Sequence, residues 1–335
     1  MLLFKYVGPA AVAKVFSSPD RIAVRFGLPK QYNDPYELFV EPHPPLQSED
    51  ERAFYNYFLG RVVEAPVACF SRRPDSVVMW AHYGQEGRGI CLGFDEDALA
   101  DEFPIAYITD IDYRDGPAAI DSYVVSYAYA TGKRRHTLRL LEIAHRAAYF
   151  TKRLDWQYEH ERRLVVPRDT VEDHEGILVA RLSPSALRFI VVGSNTDEAA
   201  SAICAAASQR FGVPLLKFGT GLRTYTPYFL QTRGGAMTWD SDHFAEHSAV
   251  CGECGEPGQL LEDDLCQWCA ISDEAKNMAP RRSMLTATLH YGIDPGLPFV
   301  FDGLKPKGLL VSQGGSPRAP ATSPGRNTRT DERPE

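Results

Sequence analysis

The 335 residues carry 44 Asp and Glu against 36 Lys and Arg, for a net charge of −8, with 44% hydrophobic and 11% aromatic residues. This is the balance of a soluble globular chain with room for one to three domains. It excludes a globally basic nucleic-acid binder, since phosphate contacts need clustered cations. LLFKYV predicts a strand, PAAVAKVF a short helix and RIAVRFG a second strand. Over 48–62, Ser48 and Glu51 have capping-box spacing, and Phe54, Phe58, Leu59 and Val62 form one apolar face of a helix.

APVACFS reads as a strand, followed by a turn at Arg73-Pro74 and a short helix, DSVVMWAHY, capped by Asp75 and ended by Gly84. RGICLGF and PIAYITDIDY are further strands. Leu140, Ile143, Ala147, Phe150 and Leu154 recur at spacings of three and four, which predicts an amphipathic helix over 133–154. WQYEHERRLVVP reads as a strand on which Glu159, Glu161 and Arg163 share a face. LRFIVVGSN, a helix over 196–211 capped by Asn195 or Thr196, and PLLKFGT read as a strand–helix–strand unit. Strands and helices out of strict alternation imply an α+β domain over 1–230.

No run approaches the ~18 apolar residues of a membrane span. The MLLFKYVG start is too short an apolar run for a secretory leader. Residues 231–250 are polar and Gly-containing and read as a linker; 251–272 form a cysteine module, 273–310 an extension of undefined character, and 311–335 a Pro/Ser/Gly-rich disordered tail. The module, CGECGEPGQLLEDDLCQWC, holds two CxxC pairs with eleven residues between them. Cys251, Cys254, Cys266 and Cys269 would complete a tetrahedral zinc ion with no open position, which makes the zinc structural. CxxC pairs of this kind suit a reducing compartment, so the expected location is the cytoplasm. The acidity of the module (Glu253, Glu256, Glu262, Asp263, Asp264) favours protein docking over DNA contact.

Three clusters before residue 170 could carry chemistry. Tyr32-Asn33-Asp34-Pro35-Tyr36-Glu37 is turn chemistry. Ser71, Ser76, Met79, Trp80 and Tyr83 are either core or the lining of a pocket for a flat heterocycle. Glu159 and Glu161 beside Arg163 are either a salt-bridged sheet face or a carboxylate pair suited to an oxocarbenium-like centre. LFKY, YNDPYE, VACFS…MWAHYG…RGICLGF, K…WQYEHERRL and FIVVGSN occur in one order. Together they resemble the bacterial domain-of-unknown-function 2971 family over about residues 1–220. In order and kind, LFKYV, CFSRRPDSVVMWAHY and YEHERRL are also similar to ADP-ribosyltransferases.

That second resemblance implies split sheets with flanking helices and NAD as substrate. It implies Glu161 as the catalytic carboxylate with Glu159 as its helper. NAD contacts would come from Ser71, Tyr83 or Trp80, with Asn33 and Asp34 nearby, and from Lys5 and Tyr6 where transferases carry His or Arg. The acceptor would be a protein or a nucleic acid, and a bacterial chain of this type suggests defence or toxicity. Two other readings stand beside it. One is a metal-dependent nuclease in which Asp34, Glu37, Glu159 and Glu161 hold Mg²⁺. The other is a non-catalytic adaptor whose zinc module docks a partner and whose glutamates are tied to Arg163 or Lys152.

Overall fold

In the computed structural model, residues 1–279 are described except for 63, 222–224, 233, 248 and 262. The chain opens with β1 (Leu2–Val7), a 3₁₀ turn, α1 (Val12–Val15) and β2 (Ile22–Phe26). β3 (Val40–His43) precedes α2 (Glu49–Leu59), whose Ser48 side chain accepts from the Glu51 N–H as the capping-box spacing requires. β4 (Val67–Ser71) leads into α3 (Val77–His82). Ser76, not Asp75, caps α3 by accepting from the Met79 N–H; Asp75 is held instead by a bidentate Arg73.

β5 (Ile90–Asp95), α4 (Glu96–Glu102), β6 (Tyr107–Asp110), β7 (Asp112–Arg114), β8 (Ala118–Asp121) and the helices α5 (Ser122–Thr131) and α6 (Arg134–Phe150) follow. β9 (Thr151–Arg153) is short, and residues Leu154–Glu159 form a 3₁₀ helix rather than the start of a strand. β10 therefore begins only at Glu161 and runs Glu161–Val165. β11 (Glu172–His174) and β12 (Ile177–Leu182) precede β13 (Leu187–Val192), α7 (Glu198–Phe211) and β14 (Leu215–Gly219). Asp197 caps α7, two residues past Asn195, and Gly212 ends it at φ 66°.

The stretch read as a linker is part of a sheet. β15 (Tyr228–Gln231), β16 (Ala236–Asp240) and β17 (His243–His247) extend the meander, and Trp239 and Phe244 pack edge-on at 5.0 Å. The ten strands lie in the order β17-β16-β15-β14-β13-β5-β1-β4-β10-β6. All neighbours are antiparallel except β13 and β14, which α7 joins as a crossover. A second sheet, β11-β12-β2, meets the first where Gly27 bridges Val67, and β3/β8 and β7/β9 are small parallel pairs.

Alternating strand residues feed different cores: Leu3 packs with Ile22, Phe70 and Leu92, while Phe4 and Tyr6 pack with Trp80, Phe218 and Trp239. A third core lies among α2, α5, α6 and β8. The architecture is thus mixed α+β. The first compact unit runs from Met1 to Ile271 and includes the four cysteines. In the second unit, Ser272–Glu335, the described part holds α8 (Asp273–Met278), capped by Ser272. The remainder of the expected extension and the expected tail lie outside the described residues. Among the described residues no helix is long and apolar enough to cross a membrane.

Candidate functional site

The large sheet splits beside its centre. β1 pairs with β5 at six positions but meets β4 only at Phe4↔Ser71. Past that point the β4 carbonyls face a gap, and a buried carbonyl without a donor is costly. At Cys69 a side chain supplies the donor: Lys5 Nζ donates to the Cys69 carbonyl at 2.9 Å, while the Val67 carbonyl accepts from the Gly27 N–H at 2.9 Å and also from Tyr32 Oη at 2.7 Å. A cavity of about 460 Å³ opens in this gap, with β1, β4 and β10 on one side and β2 and β12 on the other.

The floor is ionic. Arg163 is 0% exposed and uses all five of its N–H groups. Nε donates to Glu161 Oε1 at 2.7 Å, Nη1 to Glu37 Oε2 and the Tyr149 carbonyl at 2.9 Å each, and Nη2 to Glu37 Oε1 and Glu161 Oε2. Lys152 Nζ joins Glu161 to a third acid, donating to Glu159 Oε2 at 2.6 Å and to Glu161 Oε2 at 3.1 Å. Tyr83 Oη donates to Glu159 Oε1 at 2.5 Å and accepts from Asn33 Nδ2 at 3.1 Å.

Local backbone explains why two carboxylates reach one ammonium. On a continuous strand, residues two apart stand side by side roughly 7 Å apart. Here His160 sits in the left-handed region at φ 44°, between the 3₁₀ turn and β10, and turns Glu159 back toward Glu161. Lys152 is delivered by β9, which pairs with β7 at Tyr113; the Tyr113 hydroxyl then accepts from the Glu161 N–H at 2.8 Å.

The environments of the two acids differ. Burial raises Glu161, but Arg163 and then Lys152 outweigh it and hold the carboxyl below the usual range. Burial raises Glu159 above its ordinary value, and Lys152 only partly opposes it. Lys152, lowered by burial, is carried above its ordinary value by Glu161 and Glu159. Burial lifts the Cys69 thiol to about 12, so this cavity-lining cysteine is no nucleophile at neutral pH.

Of the residues singled out in the sequence, Lys5, Tyr6, Asn33, Ser71, Tyr83, Glu159 and Glu161 line the cavity. Ser71 Oγ is occupied with backbone, donating to the Glu159 carbonyl at 2.7 Å and accepting from the Arg73 N–H, so it fastens the turn that presents Glu159. Trp80 does not line the cavity. It is 2% exposed, stacks on Phe218 at 4.7 Å and donates its indole N–H to the Pro74 carbonyl, which makes it a core residue. Asp34 is buried in its own turn, accepting from the Tyr36 N–H, and is absent from the lining.

The Mg²⁺ grouping is not assembled, because Asp34 is turned away and Glu37 is committed to Arg163. Tyr113, Lys14 and Arg25 were not singled out in the sequence. Arg25 had a signal: in IAVRF the buried positions alternate, leaving Ala23 and Arg25 on the face that borders the cavity.

Among the described residues, the four cysteines are the only group of three or more Cys, His, Asp or Glu placed to share a metal ion, with ligand atoms within 4.8 Å of one another. Cys254 and Cys266 sulfurs lie 3.9 Å apart, close to the about 3.8 Å edge of a tetrahedron with ~2.3 Å metal–sulfur bonds. Backbone N–H groups of Cys266 and Cys269 donate to the sulfurs of Cys251 and Cys266. The donor set fits a closed metal site.

The model of a family described as "Protein of unknown function (DUF2971)" matches residues 79–164. The match contains Tyr83, Lys152, Glu159, Glu161 and Arg163, hence most of the ionic floor, whereas the β1 and β2 walls lie outside it. No curated protein matches this chain. No solved structure matches it. The likeness to ADP-ribosyltransferases therefore rests on the residues alone.

Proposed function

We propose that residues 1–230 cleave NAD at its nicotinamide–ribose bond and pass ADP-ribose to a macromolecular acceptor. The observation that carries this reading is a pair of unlike carboxylates, Glu159 and Glu161, on the floor of a cavity of about 460 Å³ in a split sheet. That volume lies within the range of roughly 300–1,000 Å³ usual for small-molecule sites. Five cations line it (Lys5, Lys14, Arg25, Lys152, Arg163) against three carboxylates (Glu37, Glu159, Glu161), an excess of two that favours a diphosphate-bearing substrate.

The geometry favours Glu159 over Glu161 as the group that meets the ribose. Glu161 already accepts twice from Arg163 and once from Lys152, which leaves it less acceptor capacity than Glu159. Glu159 takes one donor on each oxygen and keeps room for a ribose hydroxyl. In the reaction the C1′–N1 bond breaks and nicotinamide leaves with the electron pair. A negative charge beside C1′ stabilises the cation, the acceptor nucleophile bonds to C1′, and its proton passes to Glu159. Tyr83, held by Asn33 and Glu159, forms the flat wall beside the leaving group.

Incubation of the protein with NAD and chromatographic measurement of free nicotinamide tests this. Glu159→Gln is expected to lower release by about 10²–10³-fold. Unchanged release in that variant would remove Glu159 from the reaction.

One observation favours a second reading: both glutamates are ion-paired, as a non-catalytic binding protein requires. That reading expects NAD to raise the melting temperature with no nicotinamide released. In either case the cysteine module holds a structural zinc. Exposed Leu261 and Trp268 beside Asp263 and Asp264 support protein docking for it.

A further inference from the structure

The chain is acidic as a whole, yet α5 and α6 are not. Residues 122–150 hold five cations (Lys133, Arg134, Arg135, Arg139, Arg146) and one carboxylate, Glu142. Among the described residues none of these five forms an ion pair. A helical hairpin serving only as a solvated face ordinarily intersperses both signs; this one concentrates a single sign on a molecule of net charge −8.

A row of flat groups lies on the same hairpin. Tyr123 and Tyr127, one helical turn apart, are 68% and 45% exposed and stack at 5.8 Å with 19° between their planes. Tyr127 continues to the His136 ring at 4.6 Å, and Arg135 Nε donates to His136 Nε2 at 3.0 Å. Thr131 fixes His136 from the other side at 2.7 Å. α5 buries Val125 and Ala128 on its inner face and carries the two tyrosines on its outer one.

We infer that this hairpin is a docking surface for single-stranded nucleic acid. Bases stack on the Tyr123–Tyr127–His136 row, and Lys133, Arg134 and Arg139 neutralise the phosphates. Aromatic faces beside unpaired guanidinium groups are what single strands use, because every base has a π-face and every linkage a charge. A duplex conceals its base faces and would meet only the cations. The surface is separate from the cavity, so its occupancy does not depend on NAD turnover.

Fluorescence anisotropy of the full chain with a labelled twenty-nucleotide oligo(dT) or oligo(U) tests the inference. Binding is expected to weaken with salt at a log–log slope of about −2, from three phosphate contacts at ~0.7 each. Tyr123→Ala/Tyr127→Ala is expected to weaken it by roughly 5- to 150-fold per stacked base, and Arg134→Glu/Arg139→Glu to flatten the slope. Both pairs are exposed and should leave the circular dichroism spectrum and melting temperature unchanged. Four outcomes overturn the proposal: no binding at low salt, binding unaffected by the tyrosine pair, equal affinity for duplex, or binding to anionic lipid vesicles in place of the oligonucleotide. Nicotinamide release is read in the same preparations, so loss of one property is told apart from loss of the other.

Discussion

Replacing Arg163 by Met is the sharpest test of the ionic floor. Arg163 is the only partner of Glu37 in the floor and takes three further acceptors, two on Glu161 and one on the Tyr149 carbonyl. Methionine matches much of its length but supplies no donor, so two buried carboxylates keep, between them, only the Lys152 contact of Glu161. Breaking a buried pair by removing one partner costs about 3–5 kcal/mol. For a unit of this size each kcal/mol moves the melting temperature by roughly 2–4 °C, so the variant should melt about 6–20 °C lower.

The loss should also depend on pH. Without the guanidinium the orphaned acids take up protons on folding, their folded values rise, and stability falls as pH rises through those values. The variant should therefore be least impaired near pH 5 and most impaired near pH 8. Arg163→Lys should not rescue it, because a point charge cannot serve two carboxylates and a carbonyl in one plane. Differential scanning fluorimetry across that pH range reads both effects. A loss below about 1 kcal/mol, or one independent of pH, would refute the account of Arg163 as the residue that holds the floor together.

Two further outcomes are expected. Glu161 sits below its ordinary value of 4.5 because Arg163 and Lys152 outweigh burial; its contribution is present above that pH and lost as pH falls below it, so the wild-type melting temperature should drop between pH 5 and 3 and Glu161→Gln should flatten that drop. The cysteine module should carry one zinc per chain by elemental analysis, and Cys266→Ser should abolish it and raise amide exchange over residues 251–269, while exchange in β1, β5 and β13 stays slow.

Periodicity and caps in the sequence located the elements that obey local rules. α2 follows from Ser48, Glu51 and one apolar stripe, and α6 from four of the five apolar positions at helical spacing; the fifth, Leu154, falls beyond the helix, which ends at Phe150. The cysteine cluster follows from spacing alone, because a metal tetrahedron is a local object. The candidate site was harder to read, since it depends on departures from periodicity. Glu159 and Glu161 look like neighbours on a strand, yet Glu159 ends a 3₁₀ turn and a left-handed His160 separates it from the strand that begins at Glu161, and neither feature leaves a sequence pattern. The 231–250 stretch reads as polar because its apolar residues are few; Gly234 and Gly235, both at positive φ, mark the hairpin turn that lets Trp239 and Phe244 add to the sheet. Trp80 reads as a pocket aromatic because helical spacing does not tell which face is inward.

The split sheet and the ionic floor have a common cause. A continuous sheet would satisfy β4 with amides from β1 and need no buried charge, and apolar packing in place of a buried ion network is often as stable or more so. Opening the sheet after Phe4↔Ser71 forfeits those amides; Lys5 stands in for one at the Cys69 carbonyl, and Gly27 of the second sheet pairs with Val67. It also leaves a hollow whose floor is the polar face of β10. There Arg163 holds both oxygens of Glu161, and Lys152, pinned by Glu161, holds one oxygen of Glu159 while Tyr83 holds the other. Each contact fixes the next, and the series ends on Glu159, a carboxylate with acceptor capacity to spare. Stability alone does not call for such an arrangement. The proposed reaction, which needs a carboxylate held still at the floor of the cavity, does.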